Sequence, residues 1–229
     1  MTLTHYGIRE WGGSGIIALI LEAGAFWLLN NGCFGLGLGL MIFIALIWLA
    51  LAAFFRSPRR KIPNGSNLIL GPADGTVRDI EVVDFDMPPF DAQGGKALRI
   101  GMFLSVFNVH VNRAPADMKV MDKRYREGRY LDARNSNCAK ENEAMTISGA
   151  GSIDGVKFPV AVRQISGAIA RRIVCPVEPG RELKKGEIYG MIKFGSRTEI
   201  YLPDDGSFEI KVKIGDKVRS GTTVVAVKK

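Results

Sequence analysis

The uncharged stretch Phe34–Phe55 (FGLGLGLMIFIALIWLALAAFF) constrains this chain more than any other feature: it is 22 residues long. A helix needs about 20 residues to cross roughly 30 Å of hydrocarbon, so the run reads as a transmembrane or deeply embedded helix. An earlier apolar run, Ile16–Leu29, has 14 residues and contains Glu22 and Gly24, which makes it a weak spanning segment by itself. With Asn30-Asn31-Gly32 as a turn, the two runs predict a helical hairpin. A cleaved signal peptide would have a shorter apolar core preceded by basic charge, whereas here Arg56, Arg59, Arg60 and Lys61 follow the run. Basic flanks stay on the cytoplasmic side. The expectation is therefore an anchor over residues 1–60 in the cell membrane and one domain over residues 61–229 on its cytoplasmic face. Trp11 and Trp48 suit either interfacial anchoring or packing.

Charge divides along the same line. Residues 1–55 hold Arg9, Glu10 and Glu22, which leaves 30 basic against 21 acidic residues in the remainder. Such an excess suits nucleic acid, an anionic membrane or an acidic substrate, and beside a membrane segment anionic lipid is the economical partner. The basic run Lys119–Arg134 carries interleaved tyrosines but no nucleic-acid recognition motif accompanies it. It reads as a solvated face near lipid, with no nucleic-acid partner. Three scattered cysteines, Cys33, Cys138 and Cys175, do not make a disulfide framework. With His5 and His110 the only histidines, no metal-ligand spacing exists.

Beyond Pro63-Asn64-Gly65 the texture changes to short alternating runs broken by Gly, Pro and Asp: 68–70, 75–83, 97–111, 145–153, 158–166, 187–194, 198–202, 207–213 and 222–227. Strands of this length predict a mainly β (α+β) domain, with one short helix near Ser166–Cys175. Gly180-Arg-Glu-Leu183-Lys-Lys-Gly186 and Gly215-Asp-Lys-Val218-Arg-Ser-Gly221 repeat a Gly-x-x-aliphatic-x-x-Gly pattern ahead of β runs. The glycines are expected at φ > 0 in hairpin turns. The spacing resembles the hammerhead, barrel-like modules of biotinyl and lipoyl carriers, although no modifiable lysine at a hairpin tip is present.

Between those echoes lies Gly195-Ser196. Glycine before serine permits a strained backbone in which the Ser196 hydroxyl can approach the Gly195 carbonyl carbon. The resulting ester can eliminate across Cα–Cβ of residue 196 to a dehydroalanine, which hydrolyses to a pyruvoyl group. Such a carbonyl condenses with a substrate amine and accepts the electrons released when carbon dioxide leaves.

Three segments in order resemble the phosphatidylserine decarboxylase family: Gly71-Pro-Ala-Asp74-Gly-Thr-Val77, Phe103-Leu-Ser-Val-Phe-Asn-Val-His110-Val-Asn-Arg113-Ala-Pro115, and Phe194-Gly195-Ser196-Arg197. The likeness covers roughly residues 60–229 and is nearest to the short, membrane-anchored bacterial and archaeal branch. It implies that Ser196 is the self-cleavage nucleophile and pyruvoyl precursor. Asp74 then belongs to the relay that activates it, and His110 is a catalytic-site histidine. It also implies subunits of residues 1–195 and 196–229 that stay together as a heterodimer, possibly of higher order, because they share a sheet. The substrate implied is phosphatidylserine, bound as a Schiff base and released as phosphatidylethanolamine and carbon dioxide.

One departure stands out. The longer bacterial branch has a second histidine where this chain has Arg113, so either His110 serves as base or Asp74 acts on Ser196 more directly. Arg113, with Asn112, is assigned to the substrate headgroup, since guanidinium grips carboxylate or phosphate in bidentate fashion. Asn108 and Arg197 are candidates for the site lining, although solvation at the surface suits Arg197 better. The rival readings are a membrane-anchored binding module without catalysis and a pyruvoyl decarboxylase of a soluble amino acid.

Overall fold

The apolar sequence forms the hairpin expected of it. In the computed structural model, which describes residues 2–132, 138–168, 172–193 and 195–229, helices α1 (Ile8–Asn30) and α2 (Phe34–Phe54) are joined by a turn at residues 31–33. There the Cys33 amide returns to the Leu28 carbonyl at 3.1 Å. α1 is longer than its apolar run suggested, because it starts eight residues before Ile16. Both helices are long and apolar enough to cross a membrane. They approach closely through a small residue, as helices in lipid do: a Cβ on Gly37 would lie 2.5 Å from the Leu29 nitrogen. Trp48 Nε1 donates to the Trp11 carbonyl at 3.1 Å, which makes the two tryptophans a packing pair between the helices. Strand β1 (Thr2–Leu3) pairs with β2 (Arg56–Ser57) at the open end of the hairpin. This N-terminal unit ends at Arg59 and a second begins at Arg60.

The second unit is built of strands. They are β3 (Leu68–Leu70), β4 (Gly75–Asp84), β5 (Lys96–Leu104), β6 (Val111–Arg113), β7 (Asp117–Arg126), β8 (Ala144–Ile153), β9 (Val156–Ile165), β10 (Arg172–Val174), β11 (Glu182–Leu183), β12 (Ile188–Lys193), β13 (Ser196–Pro203), β14 (Phe208–Ile210), β15 (Lys217–Val218) and β16 (Val224–Lys228). An eight-stranded antiparallel sheet runs β11-β7-β8-β9-β13-β5-β4-β15, accompanied by two three-stranded sheets, β10-β12-β6 and β14-β16-β3. The mainly β character expected from the sequence is thus observed. Met102, Ile147, Val160, Val162, Ile200 and Leu202 are among the side chains of the main core, which draws on all three sheets.

Two expectations need correction. The run 97–111 is not one strand: β5 stops at Leu104 and β6 starts at Val111, with a turn between. The helix near Ser166–Cys175 is not found where the chain is described, since residues 172–174 are β10 and residues 169–171 lie outside the described residues. A single helical turn, α3 (Cys138–Glu141), occurs earlier instead. The first half of the basic run Lys119–Arg134 belongs to β7, whose Met118 and Val120 are buried while Lys119 and Arg124 are exposed; residues 133–134 lie outside the described residues.

The paired glycine turns belong to a larger duplication. Gly71-Pro-Ala-Asp-Gly-Thr-Val77 and Ala114-Pro-Ala-Asp-Met-Lys-Val120 occupy equivalent places. The Arg113 amide donates to the Pro72 carbonyl and the Leu70 amide to the Pro115 carbonyl, both at 2.9 Å, a reciprocal exchange between the copies. Gly221 and Gly186 donate to Gly71 and Ala114 at 2.9 and 2.8 Å, and Gly215 and Gly180 to Val77 and Val120 at 2.9 and 2.8 Å. Exchanging β3–β5 for β6–β8, the order of the large sheet reads the same from either edge, with β9 and β13 at the centre. All four turn glycines take positive φ, from 72° to 96°. Ser196 therefore begins a central strand, and all eight residues of that strand are buried.

Candidate active site

Ser196 is the first residue of β13 and pairs with Leu104, the last residue of β5. Side chains alternate across a strand, so Ser196 and Thr198 share the face from which Ile200 and Leu202 enter the main core. The Ser196 hydroxyl is fully buried and makes no hydrogen bond among the described residues. A hydroxyl left unsatisfied in the interior costs about 1–3 kcal/mol, so the fold holds this oxygen in a state poised to gain from a new bond. Gly195 before it has φ +57°, the left-handed region that a residue with a Cβ enters only at a cost. Phe194 lies outside the described residues. A backbone conformation that favours glycine and a buried serine hydroxyl thus meet at one peptide bond.

His110 approaches from the next layer. Its carbonyl accepts from the Ile192 amide at 3.2 Å, which ties it to the strand that leads into Gly195-Ser196. The ring is buried, with Nδ1 3.0 Å from the Asn108 carbonyl. A carbonyl only accepts, so Nδ1 carries the hydrogen, and in the neutral ring Nε2 carries the lone pair. Two residues on, the fully buried Asn112 donates to Thr198 Oγ1 at 3.1 Å and accepts from Gln164 Nε2 at 2.9 Å. His110 and Ser196 are thus each two residues from a partner in one buried hydrogen bond.

Asp74 and Arg113 form a second cluster. Asp74 precedes β4, and β4 and β13 flank β5 with Thr76, Phe103 and Arg197 in register. Asp74 is therefore at the same end of the sheet as Ser196 but two strands away, about 10 Å at the usual strand spacing. Its carboxylate accepts from Arg60 Nη2 at 2.8 and 3.1 Å and from the Ser220 amide at 2.8 Å. Arg113 points to the other face of β6 from Asn112, where its Nη1 donates to the Gly186 carbonyl at 2.8 Å. Burial and then the Arg60 charge lower the Arg113 pKa, against the pull of Asp74. The two groups assigned to the headgroup from sequence therefore face opposite ways. Arg113 stands instead in the charge environment of Asp74 and Arg60.

Arg197 is not a solvated surface residue. It is 5% exposed, with Nη2 2.7 Å from Asp79 Oδ1 and Nε 2.8 Å from Glu199 Oε1. Burial alone would lower its pKa, but the hydrogen bond to Asp79 and the Glu199 charge outweigh that and raise it. Glu199 also accepts from the Tyr201 hydroxyl and lies 3.7 Å from Arg99 and 3.9 Å from Arg163. This network occupies the face of β13 opposite Ser196 and clamps the strand one residue beyond the candidate nucleophile. Asn108 is structural in the same sense: its Oδ1 accepts from the amide and hydroxyl of Ser105, each at 2.9 Å. Sequence reasoning missed Arg60, Gln164 and Glu199. In the sequence Arg60 reads as part of the membrane flank, and no local signal marks the other two.

The arrangement has known relatives. The family model for phosphatidylserine decarboxylase matches residues 49–226. The chain is 41% identical to the phosphatidylserine decarboxylase proenzyme of Rhodopirellula baltica over 213 residues, covering 92% of this chain and 82% of that protein. It is 46% identical to the proenzyme of Carboxydothermus hydrogenoformans over 191 residues, covering 82% and 83% of the two chains. The proenzyme of Chlorobaculum tepidum is 42% identical over 172 residues, covering 75% and 74%. With three ordered motifs gathered at one end of its sheet and matches of that extent, the chain belongs to the phosphatidylserine decarboxylase family.

Proposed function

We propose that the protein cuts its own chain between Gly195 and Ser196, converts Ser196 into a pyruvoyl group and decarboxylates phosphatidylserine to phosphatidylethanolamine. The observation that carries this reading is the buried, unbonded Ser196 hydroxyl directly after a glycine at φ +57°. Ser196 Oγ attacks the Gly195 carbonyl carbon, the C–N bond breaks and an ester forms. Loss of the Cα proton of residue 196 expels the Gly195 carboxylate and leaves a dehydroalanine. Water then releases ammonia, and the new chain begins with the pyruvoyl group. Its carbonyl, in place of a bound organic cofactor, takes up the substrate amine and serves as the electron sink for loss of carbon dioxide.

His110 is the base of this scheme. Its Nε2 lone pair is set by the Nδ1 contact to Asn108, and a positioned imidazole can take up a proton and return it as a general base. Asp74, held by Arg60 and the Ser220 amide, acts by positioning. It fixes the 215–221 turn and, with Arg60, the charge environment of Arg113. Arg113 then meets the anionic headgroup, while Asn112 holds His110 and β13 in register. The basic cluster after α2 puts the catalytic unit on the cytoplasmic side, with the two apolar helices keeping it at the lipid surface.

An intact-mass spectrum tests the reading. The purified protein should give two fragments, the smaller starting at residue 196 with a blocked amino terminus. Ser196→Ala should give a single 25.0 kDa chain without decarboxylase activity. An unbroken wild-type chain that decarboxylates phosphatidylserine would overturn it. His110→Gln should slow cleavage by about 10²–10⁴-fold, the usual loss of a general base; processing at the wild-type rate would remove His110 from that role.

A further inference from the structure

A cavity of about 380 Å³ lies apart from the chemistry above, lined by Arg99, Arg126, Lys140 and Arg163 with Tyr201 and Asp84. It stands on the face of the large sheet that carries Glu199. Tyr201 follows Glu199 by two residues and so shares its face of β13. Arg99 is the register partner of Tyr201 on β5, and Arg163 that of Glu199 on β9. Arg126 is the last residue of β7, and Lys140 belongs to α3. Ser196 lies on the other face. The cations are held in place. Arg163 Nε donates to Thr146 Oγ1 at 3.0 Å, with its guanidinium carbon 5.2 Å from the centre of the Tyr201 ring. Arg126 Nη2 donates to the Ala139 and Asn142 carbonyls, both at 2.9 Å.

Carboxylates do not match these charges one for one. Arg99 meets Asp79 at 3.3 Å and also Glu81. Glu199 gives its short contact to Arg197, 2.8 Å, and stands 3.9 Å from Arg163. Arg126 and Lys140 have no ion pair among the described residues, and Arg126 Nε is buried without a hydrogen bond there. Burial and then the Arg163 charge lower the Arg126 pKa, against the pull of Glu199. The only acidic lining residue among those described, Asp84, is exposed. Like charges thus crowd a space large enough for a small ligand, and guanidinium forks match phosphate oxygens in bidentate fashion. We propose that this cavity is a binding site for a phosphate-bearing anion, held by Arg126, Arg163 and Lys140. Binding there needs neither chain cleavage nor turnover, so it stands or falls apart from the decarboxylase reading.

The experiment uses the full-length chain in nonionic detergent micelles. A water-soluble acylating reagent labels the exposed Lys140, with the exposed Lys157 at the start of β9 as the control, and peptide masses give the rate at each. Inorganic phosphate should slow labelling of Lys140 several-fold relative to sodium chloride of equal ionic strength and leave Lys157 unchanged. Protection by phosphatidylglycerol in the micelle but not by inorganic phosphate would support the same site with a lipid headgroup as the source. Protection by neither, or equal slowing at both lysines, would overturn the proposal. Arg126→Gln should raise the half-protecting concentration about tenfold, the loss of one charged hydrogen bond, with Arg126→Lys keeping most of the affinity; an unchanged value in Arg126→Gln would also overturn it. As a second measurement, the protecting anion should raise the unfolding temperature of the wild-type chain, and Lys140→Gln, a change at an exposed side chain, should need several-fold more of it for the same rise. An equal rise in wild type and Lys140→Gln would place the anion elsewhere and sink the proposal even where Arg126→Gln fails to fold.

Discussion

At the scale of single residues, Arg197 matters more than its place in a short motif suggests. Its guanidinium joins Asp79 on β4 to Glu199 on β13, and Glu199 is completely buried. Removing one member of a buried ion pair leaves the other charge uncompensated, which typically costs 3–5 kcal/mol. Glu199 keeps Arg99 and Arg163 within 4 Å, so Arg197→Met should cost about 3 kcal/mol, at the lower end of that range; thermal unfolding of the purified protein would measure it. The network also sets an acid limit. Burial raises the Asp79 pKa, but the hydrogen bond and charge of Arg197, with Arg99 behind them, hold it below the usual 3.8. A depressed carboxylate contributes stability above its unfolded pKa of about 3.9 and loses it as pH falls through the lower folded value. Asp79→Asn removes that contribution, so its unfolding temperature should fall less steeply than that of wild type below about pH 4.

At the scale of elements, the duplication supplies an internal control for the role of Asp74. Asp74 and Asp117 each accept from the amide before a turn glycine, Ser220 at 2.8 Å and Lys185 at 2.7 Å. Only Asp74 is also gripped by Arg60, and its side chain is 11% exposed against 48% for Asp117. Asp117→Ala should therefore cost about 1 kcal/mol of stability and leave cleavage at the wild-type rate, whereas Asp74→Ala should slow cleavage severely; equal cleavage rates in a time course would remove Asp74 from the processing machinery. The sequence showed half of this symmetry. The Gly-x-x-aliphatic-x-x-Gly turns were legible because positive φ demands glycine. The copy at Ala114–Val120 was not, since it substitutes Ala, Met and Lys at positions where only backbone geometry and one aspartate matter. β7 escaped notice for a similar reason, because its charges hid the alternation of Met118 and Val120. The candidate residues Ser196, His110, Asp74 and Arg113 are marked in the sequence by ordered motifs. The separation of Arg113 from Asn112 became visible only once β6 was known to be a strand that sends neighbouring side chains to opposite faces.

At the scale of the whole molecule, the position of the proposed cut decides what survives it. Cleavage after Gly195 frees the segment that carries β13–β16. β13 lies between β5 and β9 and pairs with both, over eight and five register positions. β15 pairs with β4 and β16 with β3, so the small fragment is woven into all but one of the sheets of its unit. Every residue of β13 is buried, and withdrawing it would open the middle of the eight-stranded sheet and expose both flanking strands along their length. The fragments should therefore co-purify through a tag on either one and run as one species in native size exclusion. They should part only at the denaturant concentration that unfolds the domain, because separation and unfolding expose the same core and follow one transition. The measurement is a denaturant titration that monitors tryptophan-free far-ultraviolet ellipticity and fragment retention on a tag resin together. Coincident midpoints are expected; release of the small fragment at a clearly lower concentration would mean that the sheet does not hold the two pieces as one cooperative unit.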